Sequence, residues 1–465
     1  MRIYSIVLAG WLLSSVMTIA AAAETLQIPP IQFHASTLAN GLKVLSVEDH
    51  SSPTVTVQVW YHVGSKDDPQ DRSGFAHLFE HLMFKGTKHM HAEEMDRLTE
   101  DVGGANNAST DDDVTRYYEV IPSNYLPTLL WAEADRMSNL NVNEKNFKSE
   151  RAVVEEEFRQ RVLAEPYGRL FNSIDQYSYA KHPYKRPTIG SIPDLEAATL
   201  PDVIHFHQTF YRPDNATLIV AGDFDPKQLA AWVDQYFGWI PKPDTPIPQV
   251  QVREPTRSED KRYSETSPSA PLPAVAVTWL IPPASSADSV PLQVAAALLA
   301  DGDSSRLHQS LVYREQIAQE VDVFAELRVD KGLFLAYAIL ASGHTPAQAE
   351  KGMLDGIKKL ADEPIPADEL EKVKTELLTD QLKQRETPRG KAFALGDAAL
   401  IEGDPSRVNT DLEALQAVTA ADVQRVLKKY VTGAHSVTID YLPASSKETG
   451  TRSKGAAANS KETGK

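Results

Sequence analysis

The sequence predicts an α+β fold of two related domains, each a largely antiparallel sheet covered by helices, that arose by internal duplication. Three observations carry this. The chain has 465 residues, more than one ordinary hydrophobic core accommodates. Strand-like and helix-like segments recur in the same order on either side of a Pro- and Ser-rich segment. Short identities recur at a nearly constant offset. Asp194-Leu-Glu-Ala197 returns as Asp411-Leu-Glu-Ala414, and Tyr211 with the strand Ala216–Val220 returns as Tyr430 with the strand Ser436–Asp440. Several matches in one order point to a repeated unit.

In chain order, residues 1–23 read as an export signal. Arg2 supplies the positive start, an apolar run follows, and Ala21-Ala22-Ala23 precede Glu24. The run is short and ends in alanines, which argues against a stable membrane anchor. An exported chain of this kind is expected in the bacterial periplasm, with secretion as the other destination. Residues 30–240 form the first domain, opened by the alternating strand Thr54–Trp60. Residues 241–273, rich in Pro, Ser and charge and without clear periodicity, read as a linker. Residues 274–443 form the second domain, opened by the strand Val275–Ile281. Residues 444–465 repeat Ser446–Gly450 as Ser460–Gly464 and hold too few apolar residues to fold, so they read as a disordered tail.

The net charge is -17, which argues against nucleic acid and anionic membranes as partners. It is compatible with basic substrates. The chain has no cysteine, so an exported form relies on its cores rather than on disulfides.

The segment Ala76-His-Leu-Phe-Glu-His-Leu-Met-Phe-Lys-Gly-Thr87 bears on function. Asp71 or Ser73 can cap a helix here that ends near Gly86. Phe75, Leu78, Phe79, Leu82 and Met83 form one apolar stripe, and His77, Glu80 and His81 cluster on the opposite face. These histidines therefore face solvent or a cleft. Two imidazoles one turn apart can hold one Zn²⁺, and a carboxylate on the same face can take a proton from a water beside it. This H-x-x-E-H order is a zinc-protease signature. A solvated surface pair is the alternative.

A third ligand is sought in Asn143–Phe158, which has a helical pattern with an apolar stripe of Phe147, Val153, Val154 and Phe158. Glu150 and Glu157, two turns apart, border that stripe. Glu156 lies opposite it and Glu155 between. An inward carboxylate needs a partner or a metal, whereas Glu155-Glu156-Glu157 can also be an ordinary charge run.

Together these segments resemble the pitrilysin/insulinase zinc metallopeptidase family. The resemblance rests on Gly64-Ser65, the run Gly74–Thr87, Gly103-Gly104 with Asn107-Ala108 and Thr110, and Glu150-Arg151 with Val153-Val154 and Glu157. It is closest in type to the zinc-bearing beta subunit of mitochondrial processing peptidase and its bacterial periplasmic relatives. It implies a zinc-dependent endopeptidase that hydrolyses peptides or unfolded segments in a closed chamber. His77, His81 and Glu157 would bind one zinc ion per chain, Glu80 would be the general base, and Glu150 would support the metal ligands from behind. Asn107, Ala108 and Ser109, within Ala105–Thr110, would bind an extended substrate by strand addition. A polar loop is the alternative for this stretch. The second domain lacks the zinc motif. Members that keep the fold without catalysis, such as respiratory-complex core subunits, are expected to show a damaged motif, and all four residues are present here.

One departure matters. The family supplies oxyanion donors from a non-zinc domain as an Arg and a Tyr seven residues apart. The corresponding positions here are Val312 and Gln319, and Arg314 has no tyrosine at the matching distance. Neither residue replaces a guanidinium or a phenol. The resemblance therefore implies a heterodimer whose paralogous partner carries the Arg/Tyr pair. His205, His207, His89, His91, Tyr177, Tyr179 and Tyr184 are expected to pack or to hydrogen-bond locally.

Overall fold

The computed structural model describes residues 28–444, so the expected export signal and the tail beyond Ala444 lie outside the described residues. From Ile31 onward the chain forms one compact unit. Its strands are β1 His34–Thr37, β2 Lys43–Glu48, β3 Thr54–Tyr61, β4 Ala105–Thr110, β5 Thr115–Pro122, β6 Ala216–Gly222, β7 Lys261–Ser267, β8 Ala274–Ile281, β9 Ala318–Glu326, β10 Gly332–Leu340 and β11 Val437–Pro443. They form a six-stranded sheet in the order β1-β2-β6-β3-β5-β4 and a five-stranded sheet in the order β7-β11-β8-β10-β9. The fold class is therefore α+β, with two sheet-and-helix halves.

Five strands of the first sheet repeat in the second, and β1 has no counterpart there. β2 and β6 pair in parallel, as do β7 and β11. The other pairings are antiparallel. The Asp-Leu-Glu-Ala repeats fall in the helices Ile192–Ala197 and Arg407–Ala417, each placed shortly before its half's closing strand. β7 lies inside the segment expected to be a linker. It is an edge strand of mostly polar residues in which only Ser267 is buried. Edge strands need no apolar face, which is why hydrophobic periodicity did not mark it.

The helices of the first half begin with α1 Phe75–Leu82, α2 Glu94–Glu100, α3 Leu126–Asn139, α4 Glu144–Phe158 and α5 Gly168–Ser178. Alternation along β3 sends Val55, Val57, Val59 and Tyr61 into a core with Phe75, Leu78 and Phe79 of α1 and Leu129 and Leu130 of α3. Trp60 points to the other face, which is not left to solvent. Leu45, Val47, Trp60, Ile219 and Ala221 pack there against Ala392, Leu395, Ala398 and Leu400 of the helix Pro388–Leu400, which comes from the second half. The exchange is reciprocal: Leu170 and Ile174 of α5 pack on Ala274, Ala276, Leu333, Leu335 and Ile439 of the second sheet. β6, covered on both faces, is buried along its whole length. The sheet is thus covered on both faces at its centre. Close approach fixes Gly396, where a Cβ would lie 2.7 Å from the Trp60 ring and 2.9 Å from Ile219. Among the described residues no helix is long and apolar enough to cross a membrane.

Candidate metal centre

The motif helix α1 starts at Gly74, whose φ of 94° is left-handed, a region that favours glycine. Neither expected cap is used. Asp68, buried upstream, accepts the N–H groups of Gly74 at 2.6 Å and Ala76 at 2.9 Å. Ser73 instead donates its hydroxyl to Asp194, and the helix ends at Leu82 rather than near Gly86. Phe75, Leu78, Phe79 and Leu82 are buried as expected, and Phe79 stacks on Phe206 at 5.3 Å. α1 packs against α4 and beside β4 and β5.

α4 begins at Asn143, whose side chain accepts the Asn146 N–H at 3.0 Å. Phe147 and Val154 anchor it in the core, but Val153 is 46% exposed and does not belong to the stripe. Glu156 is solvated, and Glu155 pairs with Arg151 and Arg159. Glu150 and Glu157 turn toward α1.

The three expected ligands converge. Glu157 Oε2 lies 3.6 Å from His77 Nε2 and 3.4 Å from His81 Nε2. Donor atoms of the three residues all lie within 4.8 Å of one another. A tetrahedral ion with ligands at about 2.0–2.2 Å needs ligand separations of about 3.3–3.6 Å, so the donor set fits zinc. The other carboxylate oxygen of Glu157, Oε1, is in an ion pair with Arg161 Nη1 at 2.9 Å. Glu150, 3% exposed, sits behind His81 with Oε2 3.8 Å from Nδ1, while its Oε1 faces Lys85 Nζ at 3.3 Å. Sequence reasoning missed Lys85 and Arg161, although each lies four residues beyond a site residue, one helical turn away.

The electrostatics prepare these groups for a cation. Burial, with the His81 charge adding, pulls His77 down to about 4, so its imidazole is neutral at pH 7 and free to ligate. The His77 Nδ1 atom is buried without a protein partner. Hydrogen bonding to His81 holds the Glu157 carboxyl below its usual range. Burial raises the Glu80 carboxyl on the same face of α1, which moves it toward the range of a general base.

β4, which contains Asn107, Ala108 and Ser109, pairs only with β5 and forms the edge of its sheet. The Ala108 N–H is held by the Asn107 side chain at 2.8 Å. Val312 lies half-buried in the π-helical turn His308–Arg314, and Gln319 is exposed on β9. Of the other residues singled out in the sequence, His207 is half-buried, stacked between Phe79 and Tyr211. His89 pairs with Asp135, and Tyr179 and Tyr184 are buried.

Comparison with known proteins agrees with this geometry. The profile described as Insulinase (Peptidase family M16) matches residues 43–192, and that of the Peptidase M16 inactive domain matches residues 197–377. The zinc protease PqqE of Helicobacter pylori is 30% identical over 437 residues, 93% of this chain and 98% of the relative. The chain belongs to the insulinase (M16) family. A probable mitochondrial-processing peptidase subunit beta of Arabidopsis thaliana is 26% identical, covering 85% of this chain and 76% of the relative. The crystal structure of a protease from Helicobacter pylori matches with a TM-score of 0.85 at 30% identity, over 89% of this chain and 100% of that one. The candidate donors His77, His81 and Glu157 all fall in the region of the first profile. The mostly apolar helix Ser289–Ala300, without histidine or carboxylate, occupies the corresponding place in the second half.

Proposed function

We propose that this chain is a zinc-dependent endopeptidase of the bacterial periplasm that hydrolyses peptides or unfolded segments, acting as the zinc subunit of a heterodimer. The observation that supports it is the convergence of His77, His81 and Glu157, with Glu157 Oε2 3.6 Å and 3.4 Å from the two imidazole Nε2 atoms and the three donors within 4.8 Å of one another. Zinc, when bound, supplies a Lewis acid that polarises a carbonyl and acidifies water. Glu80, on the same helix face, takes the proton of the attacking water at its carboxylate and passes it to the leaving nitrogen. Glu150 orients His81 from behind, with Lys85 beside it. The free edge of β4 gives an extended peptide a backbone to pair with, once the Asn107 side chain yields the Ala108 N–H. With Val312 and Gln319 at the oxyanion-donor positions, those donors and the rest of a closed chamber come from a paralogous partner.

The test combines metal content and turnover. The purified chain should hold one zinc and cleave peptides slowly, and added paralogue should raise the rate. Glu80→Gln should keep zinc and lose hydrolysis. A chain without zinc, or full activity in Glu80→Gln, removes the reading. Full activity of the chain alone removes only the heterodimer.

A further inference from the structure

A cavity of about 740 Å³ opens between α5, β7 and the chain around residues 178–194. Its lining includes Ser73, one turn before His77, and Phe158, the neighbour of Glu157. It therefore adjoins both helices that carry the metal donors. Tyr177 and Tyr263, stacked at 4.2 Å, form one wall.

Charge around this cavity is unbalanced. Four cations line it: Lys185, Arg186, Arg257 and Lys261. Arg257 directs its guanidinium to backbone, donating to the carbonyls of Ser178 at 2.8 Å and Thr278 at 2.6 Å. Arg186 donates to the carbonyls of Lys66 and Pro69, and its Nε is buried without a partner. Lys185 and Lys261 are exposed, and among the described residues neither ammonium has an ion-pair partner. The two carboxylates of the lining are already occupied. Asp194 accepts the hydroxyl and the N–H of Ser73. Glu254 accepts the N–H groups of Ala180, Lys181 and His182 at 2.8–2.9 Å. Beyond the lining, Asp67 and Asp68 feel Arg186, but both are engaged by backbone N–H groups and burial raises them to about 6 and about 7. Burial also lowers Arg257 to about 10. The lining thus sets four cations against two carboxylates, an excess of positive charge in a chain of net charge -17, and cations with no carboxylate partner favour an anionic ligand.

We propose that the cavity holds a carboxylate of the bound peptide, with Lys185 and Lys261 as its ionic partners and Asn172 and Gln176 as neutral donors. The carboxylate is an acidic side chain or the chain terminus. Ser73 and Phe158 bring the cavity wall next to the segments that carry His77 and Glu157, and an extended peptide advances about 3.3 Å per residue, so the carboxylate sought is one close in sequence to the cleaved bond. The assignment rests on the peptidase reading for its ligand class.

The test is binding, on the chelator-treated Glu80→Gln chain, so that neither metal nor turnover contributes. Labelled peptides of one sequence carry a single glutamate at each position in turn, or glutamine there, each with a free or an amidated terminus. Loss of the recognised carboxylate should weaken binding about tenfold. A Glu→Gln effect identifies the side chain, and an amidation effect identifies the terminus. Lys185→Glu and Lys261→Glu, both at exposed positions, should produce the same loss for the acidic peptide and none for the neutral one. Equal affinity across the series, absence of binding, or a carboxylate effect that survives both lysine changes overturns the assignment. A chain that binds this way but never hydrolyses overturns the peptidase reading and leaves the cavity assignment in place.

Discussion

Arg328 ties the two halves together, and removing it should make stability depend on pH in a defined sense. It follows β9 in the second half. Its Nε lies 2.9 Å from Asp112, in the β4–β5 turn of the first half, and its Nη2 lies 2.9 Å and 3.0 Å from the oxygens of Asp175 on α5. Glu326 adds a third carboxylate at 3.3 Å, and the Tyr179 hydroxyl accepts from Nη1 at 2.8 Å. Burial raises Asp112 to about 7 despite the guanidinium and raises Asp175 and Glu326 as well. Arg328→Met leaves these carboxylates buried and uncompensated, which costs about 3–5 kcal/mol for a broken buried pair. Their folded pKa values then rise further above the unfolded ones. Stability of this kind is present in acid and is lost as pH rises through the folded pKa. The wild-type chain gains from the same protonation, so the deficit narrows without closing, from about 4 kcal/mol at pH 8 to about 2 kcal/mol at pH 5.5. Urea unfolding at the two pH values measures it. A deficit that is equal at both, or larger in acid, refutes the argument.

Glu157→Gln should weaken zinc binding by more than about a hundredfold and Glu150→Gln by about tenfold, read by competition with a chromophoric chelator. Gly396→Val places side-chain atoms where a Cβ alone would lie 2.7 Å from Trp60, so stability should fall by about 2–3 kcal/mol in urea unfolding. His207 is lowered to about 4 by burial, so its contribution is complete above the unfolded value and fades as pH falls. About 2 kcal/mol should disappear between pH 7 and pH 5, and His207→Phe, which keeps the stack on Phe79 and Tyr211, should reduce that loss.

Much of the fold was legible because its strongest signals are periodic. The alternation of β3 and the 3.6-residue stripe of α1 placed the histidines on the face they occupy. The duplication could be read because the Asp-Leu-Glu-Ala segments and the strands after Tyr211 and Tyr430 keep their order in space. What remained hidden depends on tertiary partners. The Asp68 cap comes from six residues before the Gly74 N–H it accepts, outside the local window in which caps are recognised. Val153 sits beside a buried Val154, and only the packing of α4 decides which of the two faces α1. The helix Pro388–Leu400 carries small apolar residues on several sides, so its sequence does not say which sheet it covers. At the candidate site, helical spacing grouped His77, Glu80 and His81. The approach of Glu157 depends on how α4 crosses α1, which no single-helix pattern encodes.

The duplication explains why the donor set is asymmetric while the support beneath it is shared. The counterpart of α1 is Ser289–Ala300, a helix buried except at Gln293 that offers neither imidazole nor carboxylate. A helix of that kind maximises packing and leaves no face for a polar site. All three donors therefore come from the first half. Yet Trp60 and Ile219, on the back of the sheet that carries α1 on its front, are covered only when Pro388–Leu400 arrives from the second half. Residues 30–240 alone would expose that apolar face to water, at roughly 25 cal/mol for each Å² left uncovered. The second half thus holds none of the candidate donors and still supplies one wall of the core on which the positions of His77, His81 and Glu157 depend.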